Sequence, residues 1–506
     1  MTLIVEGQNG AGSAATPLDT KKKVVAYLMK HGMLVTPAII SRLGDQQMLD
    51  KLGSMVQADA PLDDVREALG LMPGTAAEVT VLRSYDHKGR KGAVDDFVQY
   101  FRVRYKALSA ILRERQELSQ AIAIGRLKGK QEKERVALIG YVNNKLETKA
   151  GNIMVTLEDL TGMVKVIFNK SREELFAKAR DLVFDEVIGV TGQGAEGIVF
   201  ANDLIIPDVP VSHELKKSPL AERIVVLSDM HIGSKLFLQD QFDHFIRWLR
   251  GEEGTPEQRA IARQVRYVLI LGDAVDGVGI YPRQADELSI PDIYQQYEVF
   301  TSYVRRIPPH IRVVIQAGNH DGVRIAEPQP VLPADMVPGL QGLPNVTHVS
   351  NPAWIVVGRT PLFGGFEILM YHGYSFDDYG DMVDSIRKEG KTLSDRVNPT
   401  MRFLLQRRHL APRYDTTQFI VDPTQDALVI DRVPDFFLAG HEHKSSQSTY
   451  RGVTLISGSC WQSKTALQEK LGHTPDPCRV PIINCQTRDV SILDFSSDGG
   501  EPHASV

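Results

Sequence analysis

Five short motifs between Ser228 and His443 concentrate side chains able to bind divalent cations. They read Ser228-Asp229-Met230-His231, Gly272-Asp273-Ala274-Val275-Asp276-Gly277, Gly318-Asn319-His320-Asp321, Tyr371-His372-Gly373 and Gly440-His441-Glu442-His443. Taken alone, Asp-x-His is more often a turn than a ligand pair, and Asn-His-Asp can be an Asx-type turn. Taken in series, Asp, His, Asp, Asn, His, His and His are what two divalent metals sharing one carboxylate need. Two such metals, about 3.5–4 Å apart, lower the pKa of a shared water and clamp the oxygens of a phosphate ester. A donor set of carboxylate, amide oxygen and imidazole, without thiolate, suits manganese, iron or zinc more than calcium.

Each motif follows an apolar, mostly β-branched or aromatic run, at 224–227, 268–271, 313–315, 368–370 and 436–438. Continuous apolar runs of this length predict strands covered on both faces. Polar residues at the carboxyl ends of such strands are where open α/β folds place their sites. Gly272, Gly318, Gly373 and Gly440 are expected to let the backbone turn sharply at each strand end.

This constellation resembles the calcineurin-like metallophosphoesterase superfamily. The resemblance implies one metal held by Asp229, His231, Asp273 and His443, and a second held by Asp273, Asn319, His372 and His441. It places His320 as the general acid, with Asp321 orienting it. No ligand position of the superfamily pattern is missing.

At 506 residues the chain is long enough for about three domains. A net charge of −5 supplies no global basic field for nucleic acid. Cys460, Cys478 and Cys485 have no metal-knuckle spacing and point to reduced core thiols. No apolar run approaches membrane-spanning length, and the start lacks a signal core, so no membrane association is expected.

Residues 1–20 read as a flexible lead-in. Residues 21–74 read as a small helical interaction domain, with Val24, Val25, Leu28 and Met29 on one stripe and Thr36-Pro37 opening a second helix. Residues 75–132 combine a linker, centred on 84–91, with an amphipathic helix from 95 to 115 that carries Phe97, Phe101, Tyr105, Leu108 and Leu112 on one side. Residues 133–210 alternate through five strands with a helix between the third and fourth, the order of an OB-fold barrel. Its face is poor in aromatics, which favours a docking role over binding of single-stranded nucleic acid. Residues 211–495 form the α/β phosphoesterase domain, and 496–506 a flexible tail.

This order of modules resembles the small subunits of archaeal family-D DNA polymerases, from about residue 21 to 490. The resemblance implies a multidomain α+β fold: a helical amino-terminal domain, an OB-fold barrel and a calcineurin-like metallophosphoesterase sandwich. It implies a metal-dependent 3′→5′ exonuclease that proofreads within a DNA-directed DNA polymerase complex. The implied cofactors are two divalent ions, manganese or magnesium first, with iron or zinc as alternatives. The implied partners are a large catalytic subunit and the single-stranded 3′ end of a primer, in the nucleoid of the cytoplasm. A sliding clamp is an open candidate partner without a recognisable motif. A free-standing repair nuclease or phosphodiesterase, and a non-catalytic assembly subunit, stay open as alternatives. Between the fourth and fifth motifs, Arg387, Lys388, Lys391, Arg396, Arg402, Arg407 and Arg408 are candidates for a cap that guides DNA through phosphate contacts. Interspersed Asp381, Asp384, Glu389 and Asp395 fit a plain solvated helix face equally well.

Overall fold

The computed structural model describes residues 16–31, 33, 35, 37–69, 78–86, 92–129, 134–195, 197–390, 392, 394–471 and 473–496. The expected lead-in up to residue 15, linker residues 87–91 and the tail from 497 lie outside the described residues.

Two six-stranded sheets form the centre of the molecule. One runs Val346–His348, Arg312–Gln316, Val265–Leu271, Arg223–Leu227, Arg479–Asn484, Val490–Asp494. The other runs Val79–Ser84, Ala353–Val357, Phe366–Met370, Phe436–Ala439, Val453–Ser457, Ser446–Tyr450. Side-chain alternation sorts each strand between two cores. Ile224 and Val226 meet Ile355, Ile368, Phe436 and Leu438 between the sheets. Val225 and Leu227 pack with Phe245, Trp248 and Phe300 of the helices Gln239–Leu249 and Ile293–Arg306. On the other side, Leu369, Phe437 and Leu455 pack with helices Phe376–Met382 and Val397–Arg407. Both faces of each sheet are covered, so the motif-bearing strands read as unbroken apolar runs. Arg223–Leu227, Val265–Leu271 and Arg312–Gln316 are parallel neighbours, as are Phe366–Met370 and Phe436–Ala439, so their carboxyl ends emerge together within each sheet. His372 Nδ1 reaches Leu271 O at 2.8 Å, joining the two edges.

Ahead of the sandwich, Arg135–Glu147, Ile153–Asp159, Gly162–Phe168, Val187–Ala195 and Ile198–Ile205 close into a barrel. Helix Glu173–Arg180 lies between its third and fourth strands, the OB-fold order that the alternation predicts. Val155, Leu157, Val166, Phe168, Val190 and Val199 fill it.

Four features of the amino-terminal third depart from the sequence reading. The first helix, Pro17–Lys30, starts ahead of residue 21, with Pro17 in its first turn and the Thr16 side chain accepting from Asp19 N. The core of this helical module includes Leu220, so it packs on the following chain and does not simply hang from a linker. Val79–Ser84, inside the stretch read as linker and helix, is an edge strand paired antiparallel with Ala353–Val357. Its side chains are half-buried or exposed, so it lacks the apolar signal of a central strand. Finally, helix Val94–Arg113 buries Tyr100, Arg104, Leu108 and Leu112, while Phe97 stays 37% exposed. Apolar periodicity would not choose a face that buries an arginine. No described helix is long and apolar enough to cross a membrane.

Candidate metal centre

Three of the five strand ends turn through strained non-glycine backbone. Asp229, His231, Asp273, His441 and His443 have φ of 51°, 51°, 49°, 72° and 55°. Left-handed conformations at non-glycine residues cost about 1–3 kcal/mol each and persist only where the surroundings over-determine them. The glycines divide into two kinds. Gly272 and Gly373 have φ of 102° and 117° and supply the expected turns. Gly318 and Gly440 are needed for space: a Cβ on Gly318 would overlap Asp273 Oδ1, and one on Gly440 would overlap Ser228 Oγ.

The residues singled out by the sequence converge into two adjoining donor groups. In the first, Asp229 Oδ1 lies 3.5 Å from His443 Nε2 and 3.9 Å from His231 Nε2, and these two nitrogens are 3.0 Å apart. In the second, His372 Nε2 lies 2.9 Å from Asn319 Oδ1 and 3.3 Å from Asp273 Oδ2. Asp273 Oδ2 is also 3.8 Å from His231 Nε2, which sets it between the groups. The His441 ring stands 5.3 Å from that of His372, at the outer side of the second group.

This chemistry fits cations. Asp229 Oδ1 is buried and accepts no hydrogen bond among the described residues, although its Oδ2 accepts from His441 N at 2.9 Å and from Ser228 Oγ. An unsatisfied buried polar atom costs about 1–3 kcal/mol. His231 Nδ1 donates to Asp276 Oδ1 at 3.2 Å and His372 Nδ1 donates to Leu271 O at 2.8 Å, so each ring turns its Nε2 toward the donor groups. Burial alone would raise the Asp273 pKa, but His372, then His320 and His231, hold it well below the usual carboxylate range. Burial opposes protonation of His372 as well, and Asp273 overrides it, pushing His372 up to about 10.

Asp276 was visible in the second motif but had no assigned role. Its carboxylate takes His231 Nδ1 on one side and is held by Gln284 Nε2 at 2.9 Å and Gln462 Nε2 at 3.0 Å. Asn351 Oδ1 accepts His372 N at 2.9 Å, and Asp377 Oδ2 faces His441 Nε2 at 3.4 Å. Gln284, Gln462 and Asn351 lie in segments with no spacing signal, so nothing in the sequence marks them. Asp276→Ala is expected to weaken divalent-metal binding by about 10–100-fold, because the ring of His231 loses the carboxylate that orients it. Titration calorimetry with manganese checks this; unchanged affinity would mean that Asp276 does not set the His231 ring.

His320 stands at the edge of the first group. Its ring is 4.7 Å from that of His231, edge-on, and its Nδ1 contacts Asp276 O at 2.8 Å. Burial lowers its pKa against the pull of Asp273. Asp321 does not orient it. The Asp321 carboxylate accepts from Gly318 N at 2.8 Å, Ala274 N at 3.3 Å, Val275 N at 3.4 Å and Tyr297 OH at 3.0 Å. It therefore clamps the second and third motifs to each other, and burial, then Asp273, push it up to about 6. A cleft of about 150 Å³ opens over both groups, lined by His320, Tyr281, Asp377, Glu442, Gln468 and His473 among others.

The basic segment does not form the expected cap as a unit. Arg407 is buried, with Nε 2.6 Å from Glu186 Oε2 of the barrel, and Arg408 is buried with Nε donating to Ile430 O at 2.6 Å. Arg407 holds the barrel to the sandwich, Arg408 ties two segments of the sandwich domain, and both are withdrawn from any DNA surface. Arg387 pairs with Asp384, Arg402 with Glu389 and Arg396 with Asp381. Lys388 is exposed, and Lys391 lies outside the described residues.

A two-sheet sandwich flanked by helices, with candidate metal-holding side chains at its strand ends, defines a calcineurin-like phosphoesterase domain, and the profile of that family matches residues 222–445. Longer similarities extend over the preceding barrel. The chain is 36% identical over 405 residues to the DNA polymerase II small subunit of Methanothermobacter thermautotrophicus, covering 80% of each chain. It is 38% identical over 394 residues to that of Archaeoglobus fulgidus, covering 78% of this chain and 75% of the relative. It is 37% identical over 414 residues to that of Pyrococcus furiosus, covering 81% and 65%. The chain belongs to the family of archaeal DNA polymerase II small subunits, those of the family-D polymerases.

Proposed function

We propose that this chain is a 3′→5′ exonuclease that hydrolyses DNA phosphodiesters with two divalent cations and proofreads inside a polymerase complex. The carrying observation is the position of Asp273 Oδ2, 3.8 Å from His231 Nε2 and 3.3 Å from His372 Nε2, between two donor groups. Asp229, His231 and His443 complete one side; Asn319, His372 and His441 complete the other. Manganese suits this mixed oxygen and imidazole set, with magnesium, iron and zinc as alternatives. Bound there, two cations would supply an activated water and offset the charge that builds on the phosphoryl oxygens. His320, held through Nδ1 by Asp276 O, keeps Nε2 for the proton that the leaving 3′ oxygen requires. The strained, over-determined strand ends keep these groups in place before substrate arrives.

A non-catalytic assembly role would leave the complete donor set and its strain without purpose. A free-standing nuclease would need its own DNA-binding field, and a net charge of −5 offers little. The primer strand is therefore delivered by a large catalytic subunit. With manganese or magnesium, the protein is expected to shorten 3′-labelled single-stranded DNA stepwise. Mismatched primer ends should be cut faster than paired ones, because frayed ends cost less to unpair. A metal-loaded protein inert on 3′ ends, both alone and with the large subunit, would overturn this reading.

A further inference from the structure

The segment between the second motif and helix Ile293–Arg306 is built onto the metal centre and carries side chains that metal binding does not use. Gln284, fully buried, is its anchor: Oε1 accepts from Ile280 N at 2.9 Å, while Nε2 donates to Asp276 O at 2.8 Å and to Asp276 Oδ2 at 2.9 Å. Further ties come from Lys235 N to Glu287 O at 2.9 Å and Ser289 N to Gly233 O at 2.8 Å. The loop is thus fixed to the same Asp276 that orients His231.

Two residues of the loop stand out. Tyr281 lines the cleft, half-buried, with its ring 6.3 Å from that of His320 and its hydroxyl donating to Glu287 Oε2 at 2.9 Å. Two positions on, Arg283 is exposed in a left-handed conformation, φ 69° and ψ 11°, and makes no ion pair among the described residues. A strained arginine is unusual where a glycine or asparagine would serve the turn. An aromatic ring beside the acid, followed by a free guanidinium on a rigid loop, is the pairing that single-stranded nucleic acid binds: stacking on the ring and phosphate on the cation.

We propose that Tyr281 is the stacking platform for the base of the penultimate nucleotide, and that Arg283 contacts a backbone phosphate upstream of it. The inference rests on the exonuclease reading above. In that reaction the water's oxygen bonds to the terminal phosphorus, the bond from phosphorus to the penultimate 3′ oxygen breaks, and that oxygen receives the proton. His320 faces the 3′ oxygen, so the ring beside His320 lies on the side of the nucleotide that keeps it. Base stacking is indifferent to sequence, since every base has a π-face, as a general proofreader requires. The loop would then select a frayed, unstacked end over a paired one.

The test uses the full chain with its large subunit, magnesium, and single-stranded oligonucleotides whose last linkage is blocked by phosphorothioate. 2-Aminopurine is placed at the penultimate or at the terminal position. Its fluorescence should be quenched at the penultimate position by the wild type and by Tyr281→Phe, and not by Tyr281→Ala. On unblocked DNA, Tyr281→Ala should raise KM on the order of tenfold, far more than it lowers kcat. Arg283→Ala should flatten the dependence of log KM on log salt by about 0.7, the share of one phosphate contact on a single strand, and Arg283→Lys should restore it. Equal quenching by Tyr281→Ala, or quenching confined to the terminal probe, would overturn the platform. An unchanged salt slope would overturn the phosphate contact. If the wild type leaves every 3′ end intact, the exonuclease reading itself fails. If it cuts normally and the variants match it, only this inference does.

Discussion

Replacing His320 by alanine is expected to slow DNA cleavage by about 10²–10⁴-fold, the typical worth of a positioned general acid, while the protein still binds two cations. The separation follows from the contacts. His320 meets the centre through Asp276 O at 2.8 Å and an edge-on ring contact with His231, and it lies outside the group of Asp229, His231 and His443. His320, His231 and Asp276 do bring three donor atoms within 4.8 Å of one another. That triplet is a poor cation site, because the Asp276 carboxylate is already engaged by His231, Gln284 and Gln462. Asp273→Ala supplies the contrast: its carboxylate stands between both groups, so metal and activity should be lost together. Elemental analysis beside single-turnover cleavage reads both quantities. Loss of both metals from His320→Ala would make it a ligand and remove it from acid catalysis.

The second large effect concerns stability. Arg104, on helix Val94–Arg113, is buried against Asp426 of the sandwich, Nε to Oδ2 at 2.6 Å. Its other nitrogens donate to Pro412 O at 2.9 Å and Tyr100 OH at 3.1 Å. His409 Nε2 donates to the same Asp426 oxygen at 2.9 Å while its Nδ1 accepts from Ala411 N at 3.0 Å, which defines a neutral ring. Burial, then Arg104, push His409 down to about 4, consistent with that tautomer. Arg104→Ala or Asp426→Ala would each strand one uncompensated charge, at about 3–5 kcal/mol. A double replacement by apolar residues of similar size should recover much of the loss, because the pair itself is expensive to bury. Burial would raise the Asp426 pKa, but Arg104, then His409, hold it well below the usual range. With the folded value depressed, this contribution is full above the unfolded value of about 3.9 and fades as pH falls toward the folded one. Denaturation midpoints of the three variants at neutral and acid pH check the pattern; singles that unfold like the wild type would refute it.

Much of the site was legible because its signal is local. Buried parallel strands need continuous apolar runs, and metal ligands must sit at their ends, so composition along a few residues exposes both. Asp229, His231, Asp273, Asn319, His372, His441 and His443 could be read this way, as could the order of the barrel, whose alternation is also local. Gly318 and Gly440 were legible as glycines but not for their reason, since the atoms they make room for come from other motifs. What only the tertiary structure decided involves partners far apart in the chain. Arg104 meets Asp426 across 322 positions and Arg407 meets Glu186 across 221. Periodicity treats every arginine as a surface residue, so on helix Val94–Arg113 it found Leu108 and Leu112 but missed the burial of Arg104, and it left Arg407 and Arg408 as DNA contacts. Strand Val79–Ser84 is completed by hydrogen bonds from Ala353–Val357, and Asp321 serves backbone N–H groups of the neighbouring motif. Hydrogen bonds and ion pairs depend on which atoms the fold brings within about 3 Å, and that distance is not written in the order of residues.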